Sequence, residues 1–364
     1  PAADARGGAA GAAGGAPGSG TLKEELVPDT ITVAVGFRVA PDVIGAIEGV
    51  DPRIRTVEIP ELAQTMRFRP DDKGLGTEDV ARIKSQLAEA DILFGHNTVA
   101  AEFLEAAPNL KWFQVINAGV ERLAAEGMLN RGFAVTNASG LAAIPIAEYV
   151  MCMMLMLTKD IHKSVRAQTR RAWDWGFTGD LTGQTLGIVG MGAIGRETAR
   201  LATAFRMRVL ATRRTVEAAT RDDYCDEVLP YSQLDRLLAE SDFLVLCVPL
   251  TPETQHMIGA AELAKMKPTS AIINIARGSV IDQDALTRAL KDGTIGAAAL
   301  DVTDPEPLPA ESELWSLENV IITPHISGAV KGYGHRAAEI FVANLERWVR
   351  GEPLQQLVSA ERGY

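Results

Sequence analysis

Residues 185–195 read TLGIVGMGAIG, a short apolar strand pattern that runs into Gly190, Gly192 and Gly195 at G-x-G-x-x-G spacing, with a helical segment following. Between a strand and a helix, each glycine has its own reason to be there. Gly190 permits the tight turn, Gly192 lets the backbone approach a pyrophosphate, and Gly195 lets helix and strand pack closely. The helix N-terminus presents unpaired N–H groups and a partial positive charge to that phosphate. The stretch predicts a dinucleotide-binding βα unit, and the rest of the chain has to accommodate it.

The flanking sequence does so on both sides. Upstream, ITVAVGF, RTVEI, DILFG, KWFQVI and GFAVTNA read as strands, separated by helix-like segments such as TEDVARIKSQLAEA, which opens on a Thr cap and spaces Val80, Ile83 and Leu87 helically. Residues 144–173 read as one long helical stretch. Downstream of the glycines the strands MRVLAT, DFLVLCVPL, SAIINIA, GAAALDV and NVIITP alternate with helices, among them AAELAKM and DQDALTRALKDG, and a last amphipathic helix lies near HRAAEIFVANLERWVRG. Alternation of this kind implies parallel sheets covered by helices. The expected architecture is α/β with two doubly wound parallel-sheet domains and a cleft between them, where a ligand sits. Residues 23–132 with 325–364 form one domain and 133–324 the dinucleotide-binding one. Residues 1–22 are Gly/Ala-rich, lack apolar periodicity and are expected as a disordered tail.

The 364 residues are long enough for two such cores, and 23% charged with 47% hydrophobic residues is ordinary for a globular protein. A net charge of −11 argues against a nucleic-acid partner, so any phosphate site must be a local basic cluster. No apolar run has the length of a membrane span, and no secretory signal pattern opens the chain, which makes the cytoplasm the expected location. Cys152, Cys225 and Cys247 share no metal-type spacing and read as reduced and structural, with Cys247 a core residue; the five histidines do not cluster, and no metal site is expected.

The strand after the glycine turn, RVLATRRT (208–215), ends on two arginines. Roughly 20 residues beyond the turn, such strands carry an acid that holds the 2′-hydroxyl of NAD. Arg213 and Arg214 would instead pair with a 2′-phosphate, with Thr215 adding a hydroxyl, and so favour NADPH. The alternative is a solvated arginine pair at a strand end.

Three later stretches carry chemistry. IINIARGSVID delivers Arg277 into a loop at the carboxyl edge of the sheet, where a guanidinium can grip a carboxylate through two parallel hydrogen bonds. ALDVTDPEP carries Asp301 to a strand end and Glu306 onto the following loop, and VIITPHISGA presents His325. An imidazole beside a carboxylate can serve as acid or base near neutral pH. Arg277 would bind a substrate carboxylate and polarise the carbonyl, His325 would donate the proton, and Glu306 would orient the imidazole.

The stretches NASGLAAIPIAEYV, LTGQTLGIVGMGAIG, CVPLTPETQHMI, NIARGSVIDQDAL, GAAALDV with EPLP, and NVIITPHISG together resemble the D-isomer-specific 2-hydroxyacid dehydrogenases, from about residue 90 to the final helix. The resemblance implies a flavodoxin-like substrate domain beside a Rossmann cofactor domain, with Arg277, Glu306 and His325 as the catalytic trio. It implies that the cofactor meets Gly190, Gly192, Ala193, Ile194 and Gly195, then Val248, Pro249, Ile275, Ala276 and Arg277, and finally Asp301, His325 and Gly328, with Asp301 the partner of the nicotinamide amide. The substrate would meet Ala118 and Gly119 of the NAGV loop (117–120), Arg277 and His325, and Asn97 from the His96-Asn97-Thr98 loop, for which a solvated strand-to-helix turn is the alternative. A homodimer joined through the cofactor domains is also implied. Two positions depart from the family pattern: Arg213 replaces the NAD-selective acid, and Gly119-Val120-Glu121 stands where Gly-Val-Asp is usual.

The expected activity is reduction of a small 2-keto acid such as glyoxylate or hydroxypyruvate with NADPH, NADH being possible. Oxidation of phosphite or formate on the same fold is the alternative within enzymes; formate oxidisers of this resemblance carry Gln where Glu306 stands. A nucleotide-sensing scaffold like the C-terminal binding corepressors is the alternative of another class.

Overall fold

The computed structural model describes residues 29–65 and 75–361, so the tail expected at 1–22 lies outside the described residues. In the first sheet β1 (Ile31–Val35), β2 (Ile54–Glu58), β3 (Ile92–Gly95), β4 (Trp112–Val115) and β5 (Ala134–Thr136) alternate with α1 (Pro41–Glu48), α2 (Thr77–Leu87), α3 (Ala101–Glu105) and α4 (Glu121–Ala125). The strand order is β2-β1-β3-β4-β5 with every pair parallel, the doubly wound flavodoxin-like order.

Two helices, α5 (Ala143–Thr158) and α6 (Ile161–Thr169), lead into the second sheet. There β6 (Thr185–Val189) is followed by α7 (Ala193–Ala204), β7 (Arg208–Arg213), β8 (Thr220–Asp222), β9 (Cys225–Pro230), α8 (Leu234–Glu240), β10 (Phe243–Leu246), α9 (Ala260–Leu263), β11 (Ala271–Asn274), α10 (Gln283–Lys291), β12 (Ala297–Leu300) and β13 (Val320–Ile322). The order β13-β12-β11-β10-β6-β7-β9-β8 is parallel except for β8, which pairs antiparallel with β9. The sheet therefore reverses direction at β6, beside β10, and ligands of open α/β sheets bind in the crevice at such a reversal. Strands β3, β4, β6, β10 and β11 are buried at every residue, as expected of sheets covered on both faces.

The last helix, α11 (Tyr333–Val349), packs on the first sheet. The Phe341 ring stacks on Phe94 at 4.4 Å and lies 5.2 Å from Trp112. Asn344 of the same helix donates to the buried Gln114 amide (3.2 Å), which accepts from Thr136, which in turn accepts from the Trp112 indole.

Several expectations are corrected. Strand β5 pairs with β4, so the domain boundary expected at residue 133 falls inside the first sheet; Trp112 and Gln114 bond across to Thr136 and fix the strand there. The N-cap of α2 is Gly76 and Thr77 is its first helical residue, with no side-chain cap. The stretch 144–173 divides into α5 and α6 because Asp160 takes a left-handed φ of 50° between them. Helix α9 is a single turn, and the β8–β9 hairpin was not anticipated. Cys225 is buried, but Cys247 is only half-buried and Cys152 is exposed; all three are free thiols.

Candidate active site

Gly190 ends β6 with φ of 103°, and a side chain there would run into the Cys247 carbonyl at the end of β10. The turn needs glycine on both counts. A Cβ on Gly195 would strike the Gly190 carbonyl and Ile188, so α7 can approach β6 only through glycine. Gly192, the N-cap of α7, has open space where a Cβ would sit and no side chain to cap the helix. Its first turn, with Ala193 and Ile194, keeps N–H groups available to an anion. The residues therefore fit a dinucleotide pyrophosphate at this place. Val248 and Pro249 follow β10 on the other side of the crevice, while Ile275 and Ala276 follow β11 and are buried.

Arg213, Arg214 and Thr215 are exposed at the end of β7, two strands from β10. The Glu253 carboxyl is held below its usual range, first by a hydrogen bond from Thr251, then by its own backbone, and more weakly by the Arg214 charge. Arg214 thus lies near a carboxylate on the loop after β10, while Arg213 crowns the strand.

Arg277, Glu306 and His325 follow β11, β12 and β13, three neighbouring strands of one sheet, so their backbones leave the same edge about 5 Å apart per strand. Asn274, the last residue of β11, shapes the first of these loops: its amide donates to the Arg277 carbonyl (2.9 Å) and its oxygen accepts from the Ala276 N–H (3.0 Å). The Arg277 side chain is one-third exposed, with Nη1 on the Ala276 carbonyl (2.6 Å).

His325 sits at a left-handed φ of 54°. What holds it in that uncommon conformation is Asp301, buried at the end of β12. The His325 N–H donates to the Asp301 carbonyl (2.8 Å), and the Asp301 carboxylate accepts from the N–H groups of Ile326 and Ser327 (2.9 Å each) and from the Thr323 hydroxyl (2.6 Å). A carboxylate offers about four acceptor sites, and three are taken here. Asp301, which the resemblance gave to the nicotinamide amide, serves in this structure as the brace of the turn bearing His325. Because Thr323 donates to Asp301, the Tyr149 hydroxyl 2.6 Å away must donate to Thr323. Burial pushes the Tyr149 hydroxyl up to about 12, which keeps that proton in place.

His325 Nδ1 lies 2.7 Å from Glu306 Oε1. A carboxylate only accepts, so Nδ1 carries the proton and Nε2 is the nitrogen left to exchange one. Both side chains are more than a third exposed, open to a molecule entering the crevice. Gly328, on the same turn, approaches Ala142 and Ile146 at the start of α5.

The other wall comes from the first sheet. The 117–120 loop follows β4 and is braced from two sides: Asn97 donates to the Gly119 carbonyl (2.8 Å) and Asn137 to the Ala118 carbonyl (2.8 Å). Asn97 thus shapes the substrate wall with one of its two amide N–H groups. His96 beside it has a lowered pKa because burial disfavours the imidazolium, and its Nδ1 is buried without a partner. The walls meet where Glu121, first residue of α4, reaches Arg277 Nη2 at 3.2 Å. Sequence reasoning missed the bracing set of Asn137, Asn274, Thr323 and Tyr149. For Asn274 a polar residue closing an apolar strand was an available signal that went unused, but Tyr149 and Thr323 meet across 174 residues and had no local signal.

Among known families, the model for the NAD binding domain of D-isomer specific 2-hydroxyacid dehydrogenases matches residues 151–327. A glyoxylate reductase of Korarchaeum cryptofilum is 38% identical over 272 residues, covering 72% of this chain and 80% of that protein. The chain belongs to the D-isomer specific 2-hydroxyacid dehydrogenase family. Within it, a glyoxylate/hydroxypyruvate reductase B of Yersinia pestis is 35% identical over 296 residues, covering 79% of this chain and 90% of the relative. A D-isomer specific 2-hydroxyacid dehydrogenase from Xanthobacter autotrophicus, solved in complex with NADPH and MES, superimposes with a TM-score of 0.74 at 28% identity over 93% of this chain and all of that one. Among the described residues no helix is long and apolar enough to cross a membrane, and no group of side chains is placed to hold a metal.

Proposed function

We propose that this protein transfers hydride between NADPH and a small 2-keto acid, of which glyoxylate and hydroxypyruvate are the leading candidates. The observation that carries the reading is the 2.7 Å pairing of His325 Nδ1 with Glu306, one strand from Arg277 on the same sheet edge. A bound nicotinamide supplies the hydride. Arg277 binds the substrate carboxylate and draws electron density from the keto group. His325 gives its Nε2 proton to the oxygen as negative charge grows there, and in the reverse direction takes it back. Glu306 fixes the ring and its tautomer. The names of the two relatives, which act on glyoxylate and hydroxypyruvate, support this substrate class.

The cofactor preference rests on Arg213 and Arg214 at the end of β7, where a carboxylate would repel a 2′-phosphate. Charge-assisted contacts of about 1.5–3 kcal/mol each would favour NADPH by tens- to thousands-fold. The NADPH complex of the Xanthobacter relative is consistent with this. We also propose that the working unit is a homodimer. Trp173, Trp175 and Phe177 are 95%, 76% and 90% exposed on an extended segment beside α6, where Ile161 and Val165 are also exposed. Apolar surface of that kind calls for a partner.

A panel of 2-keto acids assayed with NADPH and NADH side by side tests the reading. Oxidation of NADPH by glyoxylate or hydroxypyruvate is the expected outcome. NADPH bound but consumed by no 2-keto acid would leave the nucleotide-sensing scaffold as the better account.

A further inference from the structure

Glu121 has no part in the proton transfer, yet it is placed against the group that anchors the substrate. Its carboxylate oxygens lie 3.2 and 3.4 Å from Arg277 Nη2, across the crevice from one wall to the other. The guanidinium rests directly on the backbone of Gly119: a Cβ there would collide with Arg277 Nη2 and with both Glu121 oxygens. The adjacent Arg122 turns to Glu126 instead (2.8 Å) and does not neutralise Glu121. Arg277 Nη1 is held by the Ala276 carbonyl. The anchoring cation is therefore already shared with one fixed negative charge, and Glu306 adds another carboxylate on the same sheet edge.

Resting on the reading of Arg277 as the carboxylate anchor, we propose that Glu121 is a charge filter that restricts the site to monoanionic 2-keto acids. A substrate with one carboxylate brings one negative charge to a guanidinium that Glu121 already offsets, and its hydrogen-bonding fork can still receive it. A dicarboxylic 2-keto acid anchored on Arg277 brings its second carboxylate within the reach of its own short carbon chain of Glu121, which itself lies 3.2 Å from Nη2, and the 117–120 loop carries no cation to receive it. Two fixed like charges at that distance in a partly desolvated site lower binding of the dianion by about ten- to a hundredfold. Exclusion by an opposing charge is a common means of selectivity between ligands that share their other contacts.

The test compares kcat/KM for oxaloacetate and for glyoxylate, with NADPH, in the wild type, Glu121→Gln and Glu121→Asp. The ratio of oxaloacetate to glyoxylate should rise about tenfold or more in Glu121→Gln, which keeps the size and loses the charge, and should change far less in Glu121→Asp. A ratio unchanged in Glu121→Gln, with both substrates altered equally, overturns the filter while leaving the dehydrogenase reading intact. If the wild type turns over no 2-keto acid, that reading fails and binding decides the filter. The NADPH-loaded protein is then titrated with oxamate, a monoanion, and oxalate, a dianion, by calorimetry. Glu121→Gln must shift the affinity ratio toward oxalate by a similar factor. No shift, or no binding of either anion, overturns the proposal.

Discussion

His325 is the residue whose placement demands the most from its surroundings. A left-handed backbone is unfavourable for a side chain of this size, and it persists because Asp301 ties down three successive N–H groups of the turn. The turn then aims Nδ1 at Glu306 and leaves Nε2 to the substrate. His325→Gln keeps similar bulk but cannot give up a proton. It should lower kcat by about 10²–10⁴ while NADPH affinity, read by fluorescence titration, stays near the wild-type value. Undiminished turnover would remove His325 from the proton path. Arg277→Lys offers a point charge in place of a planar fork, so kcat/KM should fall by about a hundredfold or more, chiefly through KM. A mild effect would mean that loop N–H groups, not the guanidinium, anchor the carboxylate. The trio was legible in the sequence because each member follows an apolar strand in a distinctive loop. Its supports were not. Asn97 and Gly119, or Tyr149 and Thr323, are strangers in the sequence and meet only when the strands are ordered.

At the scale of elements, the parallel strands were readable because burial on both faces leaves an unbroken apolar run, as in β6 and β10. What local pattern could not reveal was where runs of like composition divide. The stretch from Ile144 turns from apolar to basic past Asp160 with no Gly or Pro after Pro145 to mark a break, and only a backbone turned to positive φ separates α5 from α6. Strand β5 looked like an opening to the second domain because its allegiance is settled by Trp112 and Gln114, more than twenty residues earlier. The end of β7 is the element-scale feature with a direct functional reading. Arg213→Asp places an acceptor where a 2′-phosphate would lie, without disturbing a core, since Arg213 is exposed. The ratio of kcat/KM for NADPH over NADH should drop by at least about tenfold and could invert. A ratio that does not move would return both arginines to the role of solvated strand-end charges.

Across the whole molecule, the chain closes on itself through α11. Phe341 fills the space between Phe94 and Trp112, and Asn344 completes a buried polar chain with Gln114, so the C-terminal helix belongs to the core of the first sheet although the second sheet intervenes in sequence. That closure satisfies the first sheet's outer face. The segment after α6 has no such cover. It leaves α6 through Arg171, at a left-handed φ of 56°, and is tied back at its far end by the Gly179 N–H on the Thr158 carbonyl and by Lys159 on the Gly179 carbonyl. Between those anchors Trp175 and Phe177 pair edge to face at 5.0 Å, while both rings remain largely in solvent. Aromatic rings of this size carry a large hydrophobic driving force, and anchoring both ends of the segment reduces the entropy lost on docking. Sedimentation of the wild type should therefore give the mass of two chains. Trp175→Ser combined with Phe177→Ser removes the rings without touching a buried contact, so the variant should sediment as a single chain with unchanged far-ultraviolet circular dichroism. A wild type that stays monomeric at micromolar concentration would overturn the dimer, and a double variant that still dimerises would locate the contact elsewhere on the surface.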